Sequence, residues 1–304
     1  MLTLFTIPKP FRGHADVIQR NAIRSWTMLR PECEIIVFGD DDGTADVAAT
    51  LGVRHITGVA CNEYGTPLIS DVFQKAQDLA AGNVLCYVNA DIILLKDFIE
   101  TVNYVARHKQ RFLMSGQRWN IEVTEPLEFG PRWEEELRSC VAAEGELFDP
   151  SGIDYFVFRR GIWGEIPPFA IGRTLWDNWL IYSARERGVA VVDATKRITA
   201  IHQNHDYAHL QNGKTEAWNG PEAKRNFALA GGDYKYAFTL EDATWLLTAR
   251  SLVPALTRSH LRRRRDVFRT FQPRLYSRLL QPYYLMRRAI SPLRRISRAL
   301  LSRL

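Results

Sequence analysis

The chain has 304 residues, of which 46% are hydrophobic and 24% are charged. This composition excludes a disordered, collagen-like or disulfide-scaffold chain, and the length fits two domains or one α/β domain with an extension. The net charge of +6 is unevenly distributed. Residues 257–304 contain 14 arginines and one acidic residue, Asp266, so this segment carries +13 while residues 1–256 carry −7.

Short apolar runs alternate with helical periodicity from residue 1 to about residue 110. This pattern is typical of βα units that build a mostly parallel sheet. The apolar runs predict strands at 2–7, 33–38, 53–56, 84–88 and 111–115. Helical spacing predicts helices at 45–51, 67–81 and 97–107, after a first helix that carries Ile18, Ala22, Trp26 and Leu29. We therefore predict an α/β fold, with a mostly parallel sheet sandwiched by helices.

The pattern loosens between Trp119 and Phe169, an aromatic region in which we expect a second subsite. A helix at 174–187 and strands at 189–192 and 198–201 follow. Beyond about residue 222 the sequence becomes helical and arginine-rich, and three prolines interrupt it. We therefore predict a domain at 1–221 and a helical extension at 222–304.

Polar residues follow three of the predicted strands, at 6–12, 39–42 and 89–91. Ligands of open α/β sheets bind at the carboxyl ends of strands. Asn89 and Asp91 are separated by one residue, so their side chains point to the same side. Their oxygen atoms suit Mg²⁺ or Mn²⁺ bridged to substrate phosphates. Capping of the following turn explains the pair equally well.

Three of the seven histidines lie within residues 201–209, just after the predicted strand at 198–201. A neutral imidazole can complete the coordination of a phosphate-bound Mn²⁺, so His202 or His205 is a candidate ligand beside Asp91. The alternative is a hydrogen-bonded turn with imidazoles on the surface.

Two further carboxylates have a structural and a functional interpretation each. Asp177 follows Thr174 at capping-box spacing, but a carboxylate at a helix start can also act as a general base. Asp154 interrupts an apolar strand, where a buried carboxylate needs a partner. It could bind a sugar hydroxyl, or it could satisfy a backbone group or an arginine such as Arg173.

The order of these motifs along the chain resembles that of a GT-A glycosyltransferase of the nucleotide-diphospho-sugar transferase superfamily. The resemblance covers about residues 1–210. The segments that carry it are Thr6-Ile7-Pro8-Lys9-Pro10-Phe11, the acidic turn at 39–43, Tyr87-Val88-Asn89-Ala90-Asp91-Ile92, Trp176-Asp177 and the His202/His205 segment.

The resemblance implies a role for each of these segments. Thr6 and Lys9 would border the nucleotide pocket, and Asp40 would contact the base. Asn89-Ala90-Asp91 stands where the family has D-x-D, so Asp91 and either His202 or His205 would bind the metal. Asn89 would face the nucleotide, although the motif there loses one formal charge. Asp177 would be the catalytic base, and we keep Asp154 as a second catalytic candidate.

The activity implied is sugar transfer from a nucleoside-diphosphate sugar to a glycan or lipid-linked acceptor, assisted by Mn²⁺ or Mg²⁺. The sequence contains neither G-x-G-x-x-G nor G-x-x-x-x-G-K-[ST], which excludes dinucleotide oxidoreductases and P-loop enzymes. Pro8-Lys9-Pro10-Phe11 also differs from the glycine-rich loop of a nucleotidyltransferase. The alternative function is a non-catalytic α/β module whose basic tail binds membrane or RNA.

The end of the chain has a basic amphipathic pattern. One helical face of residues 287–304 carries Leu293, Ile296, Leu300 and Leu304, and arginines lie largely off this face. The pattern predicts contact between residues 257–304 and an anionic membrane surface. A solvated tail and a nucleic-acid-binding patch are the alternatives, although we expect no nucleic-acid partner. With no signal-peptide pattern and no long apolar stretch, we expect a cytoplasmic protein peripheral to the inner face of a membrane.

Overall fold

The computed structural model describes residues 1–205, 213–271, 276 and 286. It divides into two compact units, Met1–Ala255 and Leu256–Leu304. The strands of the first unit are β1 (Leu2–Thr6), β2 (Glu34–Phe38), β3 (Arg54–Ile56), β4 (Val84–Val88), β5 (Ile92–Ile93), β6 (Phe112–Ser115), β7 (Arg118–Ile121), β8 (Glu146–Leu147), β9 (Tyr155–Arg159), β10 (Ala190–Asp193), β11 (Ala200–Gln203), β12 (Trp245–Leu247) and β13 (Leu252–Pro254).

The helices of the first unit alternate with these strands over most of the chain. They are α1 (Gly13–Thr27), α2 (Thr44–Leu51), α3 (Ile69–Leu79), α4 (Lys96–His108), α5 (Trp133–Glu144), α6 (Trp176–Glu186), α7 (Gly213–Asn219) and α8 (Pro221–Leu229). In the second unit, α9 spans Arg258–Phe271. The amphipathic pattern at 287–304 lies outside the described residues.

Nine strands form the main sheet, in the order β13-β12-β10-β6-β9-β4-β1-β2-β3. Most neighbouring strands are parallel, but β9 runs antiparallel between β4 and β6, and β13 is antiparallel to β12. The predicted α/β class with a mostly parallel sheet is confirmed, as a mixed sheet flanked by helices.

Both faces of the main sheet are buried because successive side chains of each strand point to opposite faces. On one face, Leu4 and Cys86 pack in a cluster that includes Trp26 of α1 and Phe98 of α4. On the other face the core is aromatic, with the rings of Phe5, Phe73, Tyr87, Phe156, Phe158, Trp163 and Trp176 in mutual contact. Burial on both faces explains why β4 is a continuous apolar run and why the two threonines of β1 are buried as well.

A second sheet has the order β5-β11-β7-β8. In it β11 is parallel to β7 and antiparallel to β5. The predicted strand at 198–201 is therefore part of this smaller sheet rather than of the main one. Trp26 ties the sheet to α1, since its indole Nε1 donates a hydrogen bond of 2.9 Å to the carbonyl of Ile92.

Residues 222–255 differ from the helical segment expected there. After α8 they contribute β12 and β13 to the main sheet, where β12 pairs with β10. Both strands have three residues, too few for a periodic signal. The proposed boundary at residue 221 stays a prediction. Among the described residues, no helix combines the length and the apolar character needed to cross a membrane.

Candidate active site

The segment Asn89–Asp91 connects β4 to β5 at the carboxyl edge of the main sheet. The amide of Ile92 donates to the carbonyl of Asn89 at 3.1 Å and closes the turn. The short β5 then pairs with β11, which places His202 opposite Ile92. Because of this pairing, the histidine segment lies beside a turn that is more than 100 residues earlier in the chain.

Asp91, His202 and His205 form one cluster. Asp91 Oδ2 lies 3.0 Å from His205 Nε2 and 3.9 Å from His202 Nε2. The three side chains are between 11% and 15% exposed. Their candidate ligand atoms all lie within 4.8 Å of one another. The structure thus brings the three predicted metal ligands together, with both histidines beside the carboxylate.

The chemistry of this cluster fits a divalent cation. Within the described parts of the chain, buried Asp91 Oδ1 and His202 Nδ1 have no hydrogen-bond partner. An unsatisfied buried polar atom costs about 1–3 kcal/mol, and a cation beside Asp91 would offset this cost for the carboxylate. One carboxylate with two imidazoles suits Mn²⁺ better than Mg²⁺, which prefers oxygen ligands only.

The protonation states also favour metal binding. Burial alone would raise the pKa of Asp91, but the hydrogen bond with His205 and the charges of His202, His205 and Lys9 hold it well below its usual range. Burial lowers the pKa of His202 despite the opposing charge of Asp91. At neutral pH the cluster therefore contains an ionised carboxylate and a neutral His202 imidazole, the forms that bind metals.

The backbone of Asp91 is held by Gln203, a residue that the sequence reasoning missed. Gln203 is fully buried, and its Nε2 donates to the carbonyls of Ile18 at 2.7 Å and Asp91 at 3.1 Å. Its Oε1 accepts a hydrogen bond of 3.0 Å from Asn21. Gln203 thus fixes the Asp91 turn to α1. The sequence signal that could have identified Gln203 is its position between the two predicted ligand histidines.

Asp154 precedes β9 and lies beside Asn89. Its Oδ1 accepts from Asn89 Nδ2 at 2.8 Å, and its Oδ2 accepts from Arg118 Nη1 at 2.6 Å. The arginine partner is therefore Arg118 rather than Arg173, which pairs with Glu222. With both carboxylate oxygens bound to protein donors, Asp154 has the geometry of a side chain that orients its neighbours.

Asp177 lies in the first turn of α6 and is half-buried. Burial and the nearby charge of Asp154 raise its pKa to about 7, against the opposing effects of hydrogen bonds and of Arg118. A carboxylate with a pKa close to neutrality is suited to general-base catalysis. The electrostatic influence of Asp154 and Arg118 places Asp177 in the same site.

The expected capping box between Thr174 and Asp177 does not form. The helix begins at Trp176, and its N-cap residue, Leu175, makes no side-chain capping bond. Leu175 has φ of 78°, a left-handed conformation that is unfavourable for a leucine. Strained residues of this kind concentrate at functional sites, where the surrounding structure holds them in place.

Helix α8 holds the segment that leads to Leu175. The amide of the fully buried Asn226 side chain donates to the carbonyls of Ala170 and Thr174, and its Oδ1 accepts from the amide of Ala170 at 2.9 Å. Arg173 and Glu222 form a buried ion pair. The strained conformation before Asp177 is therefore supported by contacts from the C-terminal part of the first unit.

The remaining predicted site residues flank this cluster. Lys9 acts electrostatically on Asp91, which places its ammonium group near the candidate metal ligands. Thr6 ends β1 and is fully buried, and its hydroxyl has no hydrogen-bond partner within residues 1–205 and 213–271. Asp40 is exposed after β2, and its carboxylate accepts a hydrogen bond of 2.8 Å from Gly58. Their contacts with a nucleotide stay predictions.

No family model matches this chain, and no curated protein matches its sequence. Solved structures do match its fold. Residues 1–349 of TarS from S. aureus, in complex with UDP-GlcNAc, match with a TM-score of 0.52 and 11% identity, over 91% of this chain and 73% of that chain. Glucosyl-3-phosphoglycerate synthase of M. tuberculosis has a TM-score of 0.46 and 14% identity, over 78% and 80% of the two chains. A further mycobacterial protein has a TM-score of 0.45 and 16% identity, over 78% and 74%.

At these identities the similarity concerns the fold alone. The TarS match covers 91% of this chain. The chain therefore has the fold that the resemblance implied, that of the GT-A glycosyltransferases.

Proposed function

We propose that this protein is a metal-assisted glycosyltransferase that moves a sugar from a nucleoside-diphosphate sugar to an acceptor hydroxyl. The cluster of Asp91, His202 and His205 carries the proposal. It lies at the strand end where the resemblance expects a metal, and the fold is one that binds a nucleotide sugar in TarS.

Each residue of the site would have its own role in a single displacement reaction. Asp91, His202 and His205 would hold a divalent ion, which stabilises the charge of the leaving diphosphate. Lys9 would add a positive charge nearby. Asp177 would accept the proton of the acceptor hydroxyl as the hydroxyl oxygen bonds to the anomeric carbon. As that bond forms, the bond from the anomeric carbon to the diphosphate breaks, and its electron pair leaves with the diphosphate.

The first donors to test are uridine-diphosphate sugars, because the TarS structure contains UDP-GlcNAc. For the acceptor we propose a glycan or a lipid-linked molecule.

Nucleotide binding provides the direct test. Thermal unfolding is measured with UDP, GDP, CDP and UDP-sugars, each with and without Mn²⁺, for the wild type, Asp91→Ala and the control Asp78→Ala. Asp78 is exposed on α3 and its carboxylate binds only Gln74 among the described residues. A ligand at 100 times its Kd adds ~2.7 kcal/mol, which corresponds to roughly 5–10 °C for a domain of this size. We expect this shift for one nucleotide with Mn²⁺ in the wild type and in D78A, and its loss in D91A.

If no nucleotide shifts the wild type, the transferase proposal is wrong. A salt-dependent affinity for RNA that survives Asp91→Ala would then favour the alternative, a non-catalytic module with a basic tail.

A membrane contact through residues 257–304 remains part of the proposal. Its support within the described residues is α9, which contains the run Arg262-Arg263-Arg264-Arg265. Each arginine near an anionic bilayer contributes about 1 kcal/mol to binding.

A further inference from the structure

The departure from the D-x-D motif at Asn89 has a cause in the structure. Asn89 directly follows β4, whose last residue, Val88, lies opposite Tyr155 at the start of β9. Its backbone amide donates to the carbonyl of Asp154 at 2.9 Å, and its side-chain Nδ2 donates to Asp154 Oδ1 at 2.8 Å. Asn89 thus donates two hydrogen bonds to Asp154, one from its backbone and one from its side chain.

Asp154 is itself fixed. Its side chain is 8% exposed and is paired with Arg118 at 2.6 Å, and Arg118 is 17% exposed. The guanidinium of Arg118 also lies over the ring of Phe148, 4.5 Å from its centroid. The carboxylate of Asp154 therefore accepts a hydrogen bond on each oxygen and is held in one arrangement.

The pairing of Asp154 with Arg118 favours an asparagine over an aspartate at position 89. An aspartate at position 89 would place a second carboxylate within 2.8 Å of Asp154, with Arg118 as the nearest counter-charge. Two like charges at that separation in a partly desolvated site repel strongly. An asparagine avoids the repulsion and also provides the N–H that Asp154 Oδ1 needs.

The same hydrogen bond fixes the amide orientation of Asn89. Since Nδ2 is directed to Asp154, Oδ1 is directed elsewhere, and it accepts no hydrogen bond from the described residues. We infer that Asp154 is a positioning residue, which holds Asn89 so that its Oδ1 is a neutral acceptor for a hydroxyl of the bound donor. The assignment of a donor hydroxyl rests on the proposed function, whereas the pairing of residues 89 and 154 does not.

Exchanging the charges of residues 89 and 154 distinguishes this inference from the alternative that Asn89 is only a lost metal ligand. Asn89→Asp recreates D-x-D but places two carboxylates side by side. Asp154→Asn places two amides side by side and removes the carboxylate that pairs with Arg118. In the double variant N89D/D154N the side chain of residue 154 is the hydrogen-bond donor and that of residue 89 is the acceptor, the reverse of the wild type. Asn83→Asp is the matched control, since Asn83 is exposed just before the same strand.

The four variants and the wild type are compared by thermal unfolding without ligand and by calorimetric titration with UDP in the presence of Mn²⁺. We expect N89D and D154N each to lower Tm by several degrees, and the double variant to lose less than the sum of the two. We expect N89D to bind UDP with Mn²⁺ at least tenfold more weakly than the wild type, and the double variant to recover most of this loss. N83D should resemble the wild type in both measurements.

An N89D variant that is as stable as the wild type and binds UDP with Mn²⁺ more tightly would overturn the inference, because Asn89 would then be only a lost metal ligand. Additive losses of Tm in the double variant would also overturn it. If no protein in the series binds UDP, and GDP or CDP in its place gives no binding either, the proposed function fails. The Tm comparison still decides whether residues 89 and 154 are coupled.

Discussion

Replacement of Asp177 by asparagine should stabilise the protein and greatly reduce its activity at the same time. Burial and the charge of Asp154 raise the pKa of Asp177 to about 7. Above that pH the folded protein carries an ionised carboxylate in an unfavourable environment. An asparagine side chain has nearly the same shape and no charge, so D177N removes this cost together with the proposed base.

The sign of the pH dependence follows from linkage. A carboxyl whose pKa is higher in the folded than in the unfolded protein stabilises the fold fully below its unfolded pKa, and this contribution is lost as the pH rises through the folded pKa. For Asp177 the loss falls between about pH 4 and pH 7. A shift of this size has an upper limit of about 4 kcal/mol, and since water reaches the half-buried side chain we expect about 2 kcal/mol.

The assay is thermal unfolding of the wild type and D177N at pH 4 and pH 8.5, without metal or nucleotide. We expect equal Tm values to within about 2 °C at pH 4, where little of the contribution is lost, and a Tm that is roughly 4–8 °C higher for D177N at pH 8.5. Asp46→Asn, at an exposed first-turn position of α2, controls for loss of a carboxylate at a helix start. Sugar transfer should fall about 10²–10⁴-fold in D177N, and wild-type kcat should rise with pH towards a limit above about pH 7.

Asp177 does not carry this unfavourable charge if D177N gains no stability at pH 8.5, or if it gains as much at pH 4. Retained transfer by a folded D177N would separately exclude Asp177 as the base.

Two further predictions concern the strained turn and the basic helix. At Leu175, glycine should be more stable than alanine by about 1 kcal/mol, the reverse of the order within a helix, because φ of 78° favours glycine. An alanine variant as stable as the glycine variant in urea unfolding would contradict the strain. For α9, replacing Arg262, Arg263, Arg264 and Arg265 by glutamine in the full chain should weaken binding to phosphatidylserine vesicles at least tenfold at 0.1 M salt. Unchanged binding, or no binding by the wild type, would exclude α9 as a membrane contact.

The sequence predicted the centre of the main sheet well, for a physical reason. The central strand β4 is buried on both faces, so it is a continuous apolar run that ends at polar residues. The candidate metal ligands could be predicted because they lie at such an end and in a histidine cluster. The second sheet could not be predicted in this way, because β5 has two residues and depends on its pairing with β11.

The residues that position the site escaped prediction because their partners are distant in the chain. Gln203 binds the carbonyl of Ile18, 185 residues earlier, and no local pattern encodes such a contact. Arg118 is one of many arginines until β7 brings it to Asp154. The local pattern at Thr174 and Asp177 gave a wrong prediction, because their spacing matches a capping box that does not form. The left-handed Leu175 instead delays the start of α6 to Trp176.

The two carboxylates treated as catalytic candidates illustrate how environment separates their roles. Asp154 has a hydrogen-bond donor on each oxygen, one of them an arginine, so its carboxylate is occupied by the protein itself. Asp177 has no ion-pair partner among the described residues, and burial together with the charge of Asp154 raises its pKa to about 7. If Asp177 is the base, as proposed, Asp154 assists it indirectly by adding to the rise of its pKa. The Asp154→Asn variant should accordingly lower the apparent pKa of the kcat profile, a change that loss of the Asn89 contact alone would not produce.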